Sequence, residues 1–281
     1  MVILDSQLMA GLLSLARKAG GEILSYYESD YQVNYKGDAS PLTEADLAAH
    51  HIIVDGLASL TPDIPVLSEE SDYAVQSQRL NWTEYWLVDP LDGTKEFIKK
   101  NGEFTVNIAL IRDGAPVFGV VYAPVPDVMY WGDVGKGAMK QTGAALPVSI
   151  QVATLPLTEK GWRVVGSRSH QSTRFAQFMQ CLPEAEIMPV GSSLKLCLIA
   201  EGAADLYPRF SPTSEWDIAA GQAVLVAAGG EVLALPSLKA LTYNTHPDTL
   251  INPDFVACAE ESHHWRDEIL DTTKGKDSFG K

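Results

Sequence analysis

A chain of 281 residues, 46% of them hydrophobic, is long enough for one large domain or two packed lobes, and no apolar run approaches the roughly 18 residues of a membrane span. Its formal charge of −15 argues against duplex nucleic acid or an anionic membrane surface as a partner, because the summed field repels polyphosphate. No basic stretch precedes an apolar block at the N-terminus, and three scattered cysteines, Cys181, Cys197 and Cys258, fit a reducing cytoplasm better than a disulfide framework.

Leu8, Leu12, Leu15, Ala16, Ala19 and Ile23 recur at helical spacing behind a capping Asp5 or Ser6, which predicts a first helix over 6–28. A second helix opens near Thr43 and carries Ala49, Ile53, Leu57 and Leu60 on one face until Pro62 and Pro65 end it. IPVLSEES and YWLVDP read as short strands running into acids. Alternation over 105–111 and 117–122, around an Arg-Asp-Gly turn, predicts an antiparallel hairpin, and 128–131 with GDVGKGA predicts the next. From about residue 160, strands 162–166, 186–190, 203–207 and 231–235 alternate with helices 171–181, 192–200 and 216–228, a second α/β layer. The expected division is a lobe over 1–155, two helices plus an antiparallel sheet carrying most candidate ligands, then an α/β lobe over 156–270 and a disordered tail over 271–281.

Glu69 in LSEES, Asp89 and Asp92 in WLVDPLDGT, and Asp217 in SEWDIAAG each fall at a strand end or helix start, where side chains leave the layer. Hard carboxylate oxygens suit Mg²⁺, and Pro90 would turn the Leu91 carbonyl the same way as the flanking acids, so two ions about 4 Å apart could be bridged. Taken singly, each acid reads more readily as a turn or capping residue: Asp92 before Gly-Thr, Asp217 at a helix start, Asp46 behind Thr43. Their conjunction does not. The D-x-x-D-G-T spacing differs from the D-x-D-G-T of covalent aspartyl-phosphate enzymes, and neither a P-loop nor a nucleophile elbow is present. His50-His51 and His263-His264, neighbours on helices, point about 100° apart and make poor joint ligands. Lys95, Lys99, Lys100, Arg168, Lys195 and Arg209 form a dispersed basic set, in which Lys95 and Arg209 are the candidates to meet an anion.

The segments LTEAD, LSEES, WLVDPLDGTKEFI, VGSRSH, GSSLKLC and EWDIAAGQAVLVAAGG together resemble the lithium-sensitive, Mg²⁺-dependent inositol monophosphatase superfamily over about residues 8–258. DGTKEFI, GEFTVNIALI, GVVYAPV and LYPRF are most similar to its bacterial 3′(2′),5′-bisphosphate nucleotidases. The resemblance implies an α-β-α-β-α sandwich. It implies two or three Mg²⁺ ions per site, held by Glu69, Asp89, the Leu91 carbonyl, Asp92 and Asp217. It also assigns catalysis to Asp46 and Thr94, paired to position the attacking water, together with Glu69. Substrate contacts are expected from Glu69, Leu91, Asp92, Gly93, Thr94, Lys95, Gly191, Ser192, Ser193, Lys195, Arg209 and Asp217, with Ser167 and Arg168 nearby.

Lys95-Glu96 stands where the inositol enzymes tend to carry Thr-Asn, and Arg209 stands roughly where they carry a glutamate that grips a sugar hydroxyl. A cation there suits a second phosphate. The implied activity is hydrolysis of the 3′-phosphate of 3′-phosphoadenosine 5′-phosphate to adenosine 5′-phosphate and phosphate by a metal-activated water. The alternatives are a phosphatase of inositol phosphates or of fructose 1,6-bisphosphate, or a non-catalytic metal and nucleotide sensor, against which Thr94 and Asp46 argue. The expected partner is a small nucleotide and not a nucleic-acid polymer, and bound cations would reconcile an acidic chain with an acidic ligand. The expected location is the cytoplasm, with peripheral association on the cytoplasmic face of the inner membrane and a homodimer both left open.

Overall fold

The computed structural model describes residues 2–28, 33–35, 41–156, 158, 160–166, 172–182 and 184–274. Helix α1 (Ser6–Tyr27) starts behind Asp5, whose carboxylate accepts from the Leu8 N–H at 2.8 Å, so Asp5 and not Ser6 is the cap. A small hairpin, β1 (Val33–Tyr35) and β2 (Pro41–Thr43), leads into α2 (Glu44–Leu60). Then come β3 (Val66–Ser68), the single turn α3 (Tyr73–Gln76), β4 (Glu84–Asp92), α4 (Thr94–Ile98), β5 (Thr105–Arg112), β6 (Ala115–Ala123), β7 (Val128–Asp133), β8 (Gly137–Thr142) and β9 (Val148–Ile150). The strands β3 to β9 form one sheet in chain order; β3 runs parallel to β4 and every later neighbour is antiparallel.

The second half supplies β10 (Lys160–Gly166), α5 (Thr173–Phe178), β11 (Glu184–Pro189), α6 (Leu194–Ala200), β12 (Leu206–Arg209), α7 (Glu215–Ala227), β13 (Glu231–Ala234), β14 (Lys239–Ala240), β15 (Phe255–Cys258) and α8 (His263–Lys274). Their sheet has the order β11-β10-β12-β15-β13-β14. It is mixed: β10 is parallel to β11 and β12, whereas β15 runs antiparallel between β12 and β13.

The strand side chains divide between two apolar layers. Trp86, Val88, Ile108 and Val120 pack with Leu12, Ile23 and Ile53 of α1 and α2, while Tyr85, Leu87, Ala109 and Val121 face the other way, onto residues of α6 and α7. Phe255 and Ala257 of β15 enter that same middle layer, and Val256 and Cys258 turn outward to Phe178 of α5 and to Trp265 and Ile269 of α8. The stacking is therefore α-β-α-β-α, as the resemblance implied. Both sheets are covered on both faces, which is why several strands read as apolar runs with little alternation. Helix α7 lies hard on β6 and β7. A Cβ at Gly119 would stand 2.3 Å from the Ala220 carbonyl oxygen, and one at Gly132 2.7 Å from Val224 Cα.

Three expectations need correction. The tail expected from Asp271 begins inside α8, which runs to Lys274; Trp265 and Ile269, one turn apart, are fully buried and hold the helix although its sequence is mostly polar. Residues 275–281 lie outside the described residues. Strand β15, central to the second sheet, was not expected, because four residues are too few to display a pattern. Its neighbour β12 begins at Leu206, later than the expected 203, because Ala203 and Ala204 are taken up by backbone bonds to Leu198 that close α6. Among the described residues, no helix is long and apolar enough to cross a membrane.

Candidate active site

Asp89 and Asp92 share a site because β4 carries one residue too many. Asp89 lies opposite Asn107 and Asp92 opposite Thr105, so between these pairs β4 advances three residues and β5 two. In a regular pleat, side chains three apart leave by opposite faces, and the extra residue cancels that. Pro90 has no N–H to lose from the ladder, and the N–H of Leu91 donates to Asp89 Oδ1 at 3.1 Å. Gly93, at φ 90°, then turns the chain into α4, in a conformation that a β-carbon would strain.

The third acid arrives from the first turn of α7. Ser214 N donates to Asp217 Oδ2 at 2.9 Å within a capping box, so the capping reading of Asp217 holds for one of its oxygens. The same carboxylate joins the other two acids: one ligand atom from each of Asp89, Asp92 and Asp217 lies within 4.8 Å of the others. Burial, followed by the charges of Glu69, Asp92, Asp217 and Asp46, pushes the Asp89 carboxyl far above the usual carboxylate range. Asp217 is pushed up by burial and then by Asp92 and Glu69, against the Ser214 N–H and Arg209. Buried Asp46 on α2 and Glu69, just past the end of β3, thus act on the same centre. An array of hard oxygens that repel one another fits a divalent cation, and these three acids could hold one.

Leu91 is buried, and its carbonyl, expected as a metal ligand, accepts from the Thr94 hydroxyl at 3.4 Å, so that hydroxyl gives its one proton to Leu91 and not to Asp46, the pairing the resemblance implied. The Glu69 N–H donates to the Val88 carbonyl at 3.0 Å, which fixes the backbone beside β4. From this centre a cleft opens between Asp92, Gly93 and Lys95 on one side and Gly191, Ser192, Ser193, Lys195, Arg209 and Asp217 on the other. Gly191 is held by its N–H, which donates to Glu103 Oε2 at 2.8 Å. Lys195 is only 7% exposed; its Nζ donates to the Ser192 carbonyl at 2.6 Å and lies 5.6 Å from the centre of the Tyr207 ring. Arg209 at the end of β12 is braced by its own loop, Nε donating to the Ser211 carbonyl at 3.0 Å and Nη2 to that of Pro212 at 3.1 Å. Ser167 and Arg168 lie outside the described residues. Lys99 and Lys100 do not line this cleft; Lys100 sits over the Tyr27 ring at 4.7 Å.

Several residues escaped the sequence reading as parts of the site. Glu96, Leu196, Tyr207, Thr213 and Ile218 also line the cleft, and Asn107, 1% exposed, donates through Nδ2 to Ser193 Oγ at 2.8 Å. The available signal for Asn107 was a lone amide in the apolar run TVNIALI.

Residues 5–271 match the inositol monophosphatase family, and the chain belongs to that family of metal-dependent phosphatases. Its relatives narrow the kinship. It is 52% identical over 243 residues to the 3′(2′),5′-bisphosphate nucleotidase CysQ of Salmonella typhimurium, covering 86% of this chain and 95% of that protein. It is 34% identical over 267 residues to the Haemophilus influenzae protein of the same name, covering 95% and 98%. Among solved structures, CysQ from Bacteroides thetaiotaomicron, a bacterial member of the inositol monophosphatase family, superposes with a TM-score of 0.78 at 42% identity, covering 92% of this chain and 99% of the other.

Proposed function

We propose that the chain hydrolyses the 3′-phosphate of 3′-phosphoadenosine 5′-phosphate, releasing adenosine 5′-phosphate and inorganic phosphate. The observation that carries this reading is the presence in one cleft of two kinds of anion-binding group: acids fit for cations, Asp92 and Asp217 with Asp89 beside them, and the braced guanidinium of Arg209 with Lys195. A ligand with two separate phosphates answers both. The names of the bisphosphate nucleotidases at 52% and 34% identity support the same substrate class.

In this reading Glu69, Asp89, the Leu91 carbonyl, Asp92 and Asp217 would hold two or three Mg²⁺ ions, which when bound would supply charge neutralisation for the phosphate oxygens and lower the pKa of the attacking water. Asp46, Glu69 and Thr94 orient that water. The Thr94 hydroxyl, whose proton goes to the Leu91 carbonyl, keeps lone pairs with which to accept from it. Gly93, Lys95, Gly191, Ser192 and Lys195 line the path of the ester, where phosphoryl transfer needs positioning and charge neutralisation more than covalent chemistry. The free thiols of Cys181, Cys197 and Cys258 support a reducing cytoplasm as the place of reaction.

The test is phosphate release, with Mg²⁺ and with excess chelator, from 3′-phosphoadenosine 5′-phosphate, adenosine 3′-phosphate, inositol 1-phosphate and fructose 1,6-bisphosphate. We expect the nucleotide bisphosphate to be preferred and chelator to abolish turnover. Arg209→Ala should raise KM for the bisphosphate roughly 10-fold or more, the worth of a charge-assisted contact, and leave adenosine 3′-phosphate nearly unaffected. Faster turnover of inositol 1-phosphate, or full activity in chelator, would overturn the proposal.

A further inference from the structure

We infer that Asn107 is a positioning residue for the cation site, acting through Ser193 on Asp92. The inference rests on Asp92 holding a cation, as proposed above, and not on which phosphate ester is hydrolysed.

Each of the three acids has one oxygen engaged from within the protein. Asp89 Oδ1 accepts from Leu91 N at 3.1 Å, and Asp217 Oδ2 accepts from Ser214 N at 2.9 Å. Asp92 Oδ2 accepts from Ser193 N at 2.6 Å, with Ser193 Oγ at 2.9 Å and Asn107 Nδ2 at 3.5 Å. The second oxygen of each has no partner among the described residues. Such holding of ligand carboxylates by outer hydrogen bonds is how proteins orient a metal site.

The three acids differ in how they are held. Asp89 and Asp217 are fixed by N–H groups two and three residues away, so their orientation is local. Asp92 is fixed by groups 101 and 15 residues away, at the start of α6 and on β5. Only the docking of two layers brings these together. The Ser193 hydroxyl has one proton and lies within 2.9 Å of Asp92 Oδ2 and 2.5 Å of the Asp217 carbonyl oxygen. Asn107 Nδ2, at 2.8 Å, occupies one of its lone pairs and so aims the proton at these two acceptors.

The amide is poorly explained as packing. Asn107 is 1% exposed, Ser193 is 3% exposed, and Asn107 Oδ1 meets no donor among the described residues, so the side chain carries a desolvation cost that leucine would not. Turning the amide over would set its oxygen 3.5 Å from Asp92 Oδ2 and make it compete with Asp92 and the Asp217 carbonyl for the one Ser193 proton, so the nitrogen is assigned to that side. What the residue supplies is that one donor group.

The test compares wild type with Asn107→Leu, Asn107→Ala, Ser193→Ala and the Asn107→Leu/Ser193→Ala pair. It reads Mn²⁺ affinity by electron paramagnetic resonance without substrate, and thermal melting in chelator. We expect Asn107→Leu to weaken Mn²⁺ binding about 10-fold or more, as outer-shell changes do, while melting within a few degrees of wild type. The pair should bind Mn²⁺ no more weakly than Ser193→Ala alone, because both residues act through one node. Unchanged Mn²⁺ affinity in Asn107→Leu and Asn107→Ala would overturn the inference in favour of simple packing, and strictly additive losses would overturn the route through Ser193. If the Asn107 variants melt below the assay temperature, Ser193→Ala, which leaves the sheet untouched, decides in their place: wild-type affinity there sinks the inference. Should the protein fail to turn over the nucleotide while Mn²⁺ affinity still depends on Asn107, the substrate proposal falls and this one stands.

Discussion

Arg79 and Asn244 hold each other twice: Arg79 Nη1 donates to Asn244 Oδ1 at 2.6 Å, and Asn244 Nδ2 donates back to the Arg79 carbonyl at 2.6 Å. Arg79 Nη2 also reaches the carbonyls of His246 at 2.7 Å and Pro247 at 2.9 Å, and Asn244 N donates to both oxygens of Glu215, at 2.9 and 3.0 Å. The segment before β4 is thereby tied to the first turn of α7, two residues from Asp217. Arg79 is itself buried, but the carbonyls of His246 and Pro247 belong to exposed residues that water can reach, so we expect Arg79→Met to lose about 1–3 kcal/mol in urea melting. Arg79→Lys, lacking the planar fork, should recover less than half of it. A loss under 1 kcal/mol, on the scale of an ordinary exposed substitution, would contradict the role given to this pair.

Glu215 makes stability depend on pH. Burial pushes its carboxyl up to about 7, against the Asn244 N–H and Arg79, which pull it down. A carboxyl with a raised folded pKa contributes stability that is complete below its unfolded value and is lost as pH rises through the folded one. In chelator the protein should therefore lose stability between about pH 4.5 and pH 7, by roughly 3 kcal/mol from this group. Asp89 and Asp217, also raised, act in the same direction. Urea titrations at pH 5 and pH 8 should show a smaller difference for Glu215→Gln than for wild type.

Asp89→Asn should separate stability from function. With burial first and neighbouring charges second raising its carboxyl, the neutral amide relieves repulsion in the cation-free protein, and we expect a gain of about 0.5–2 kcal/mol in chelator. The stabilisation that Mg²⁺ confers on wild type, read as a shift in Tm, should disappear, and phosphate release should fall by orders of magnitude. A variant that kept its Mg²⁺-dependent shift would remove Asp89 from the cation site.

Gly119→Ala tests the seat of α7. The added methyl would meet the Ala220 carbonyl at 2.3 Å, and backbone cannot rotate away, so the helix must lift. A cost of about 3 kcal/mol, the upper end for overpacking, is expected in denaturant melting, together with weaker Mn²⁺ binding as Asp217 moves with the helix. Destabilisation with intact Mn²⁺ affinity would show that the first turn of α7 is held from elsewhere.

The sequence made the acids legible because each lies in a short motif of residue types with little other reason to recur together. The D-x-x-D spacing held a signal the sequence reading did not use, since a regular strand cannot turn Asp89 and Asp92 to one face without an extra residue. Most helices and strands were legible from periodicity. Asn107 was not, because its meaning lies in the register of β5 against β4 and in a contact 86 residues away. The burial of α8 was equally hidden: Trp265 stands between His264 and Arg266, charged residues separate it from Ile269, and only the finished second sheet gives them something to cover. The Arg79–Asn244 brace joins two loops, where no pattern exists to read.

The contact at Gly119 and Gly132 also bears on motion. A helix resting on a sheet with backbone against backbone has no side chains there to re-settle, so α7 cannot glide along β6 and β7 without first rising off them. On the function proposed above, capture of a ligand would fall to the rim, to the exposed Lys95 and the loops of Ser192 and Arg209, while the anionic floor beneath keeps its spacing.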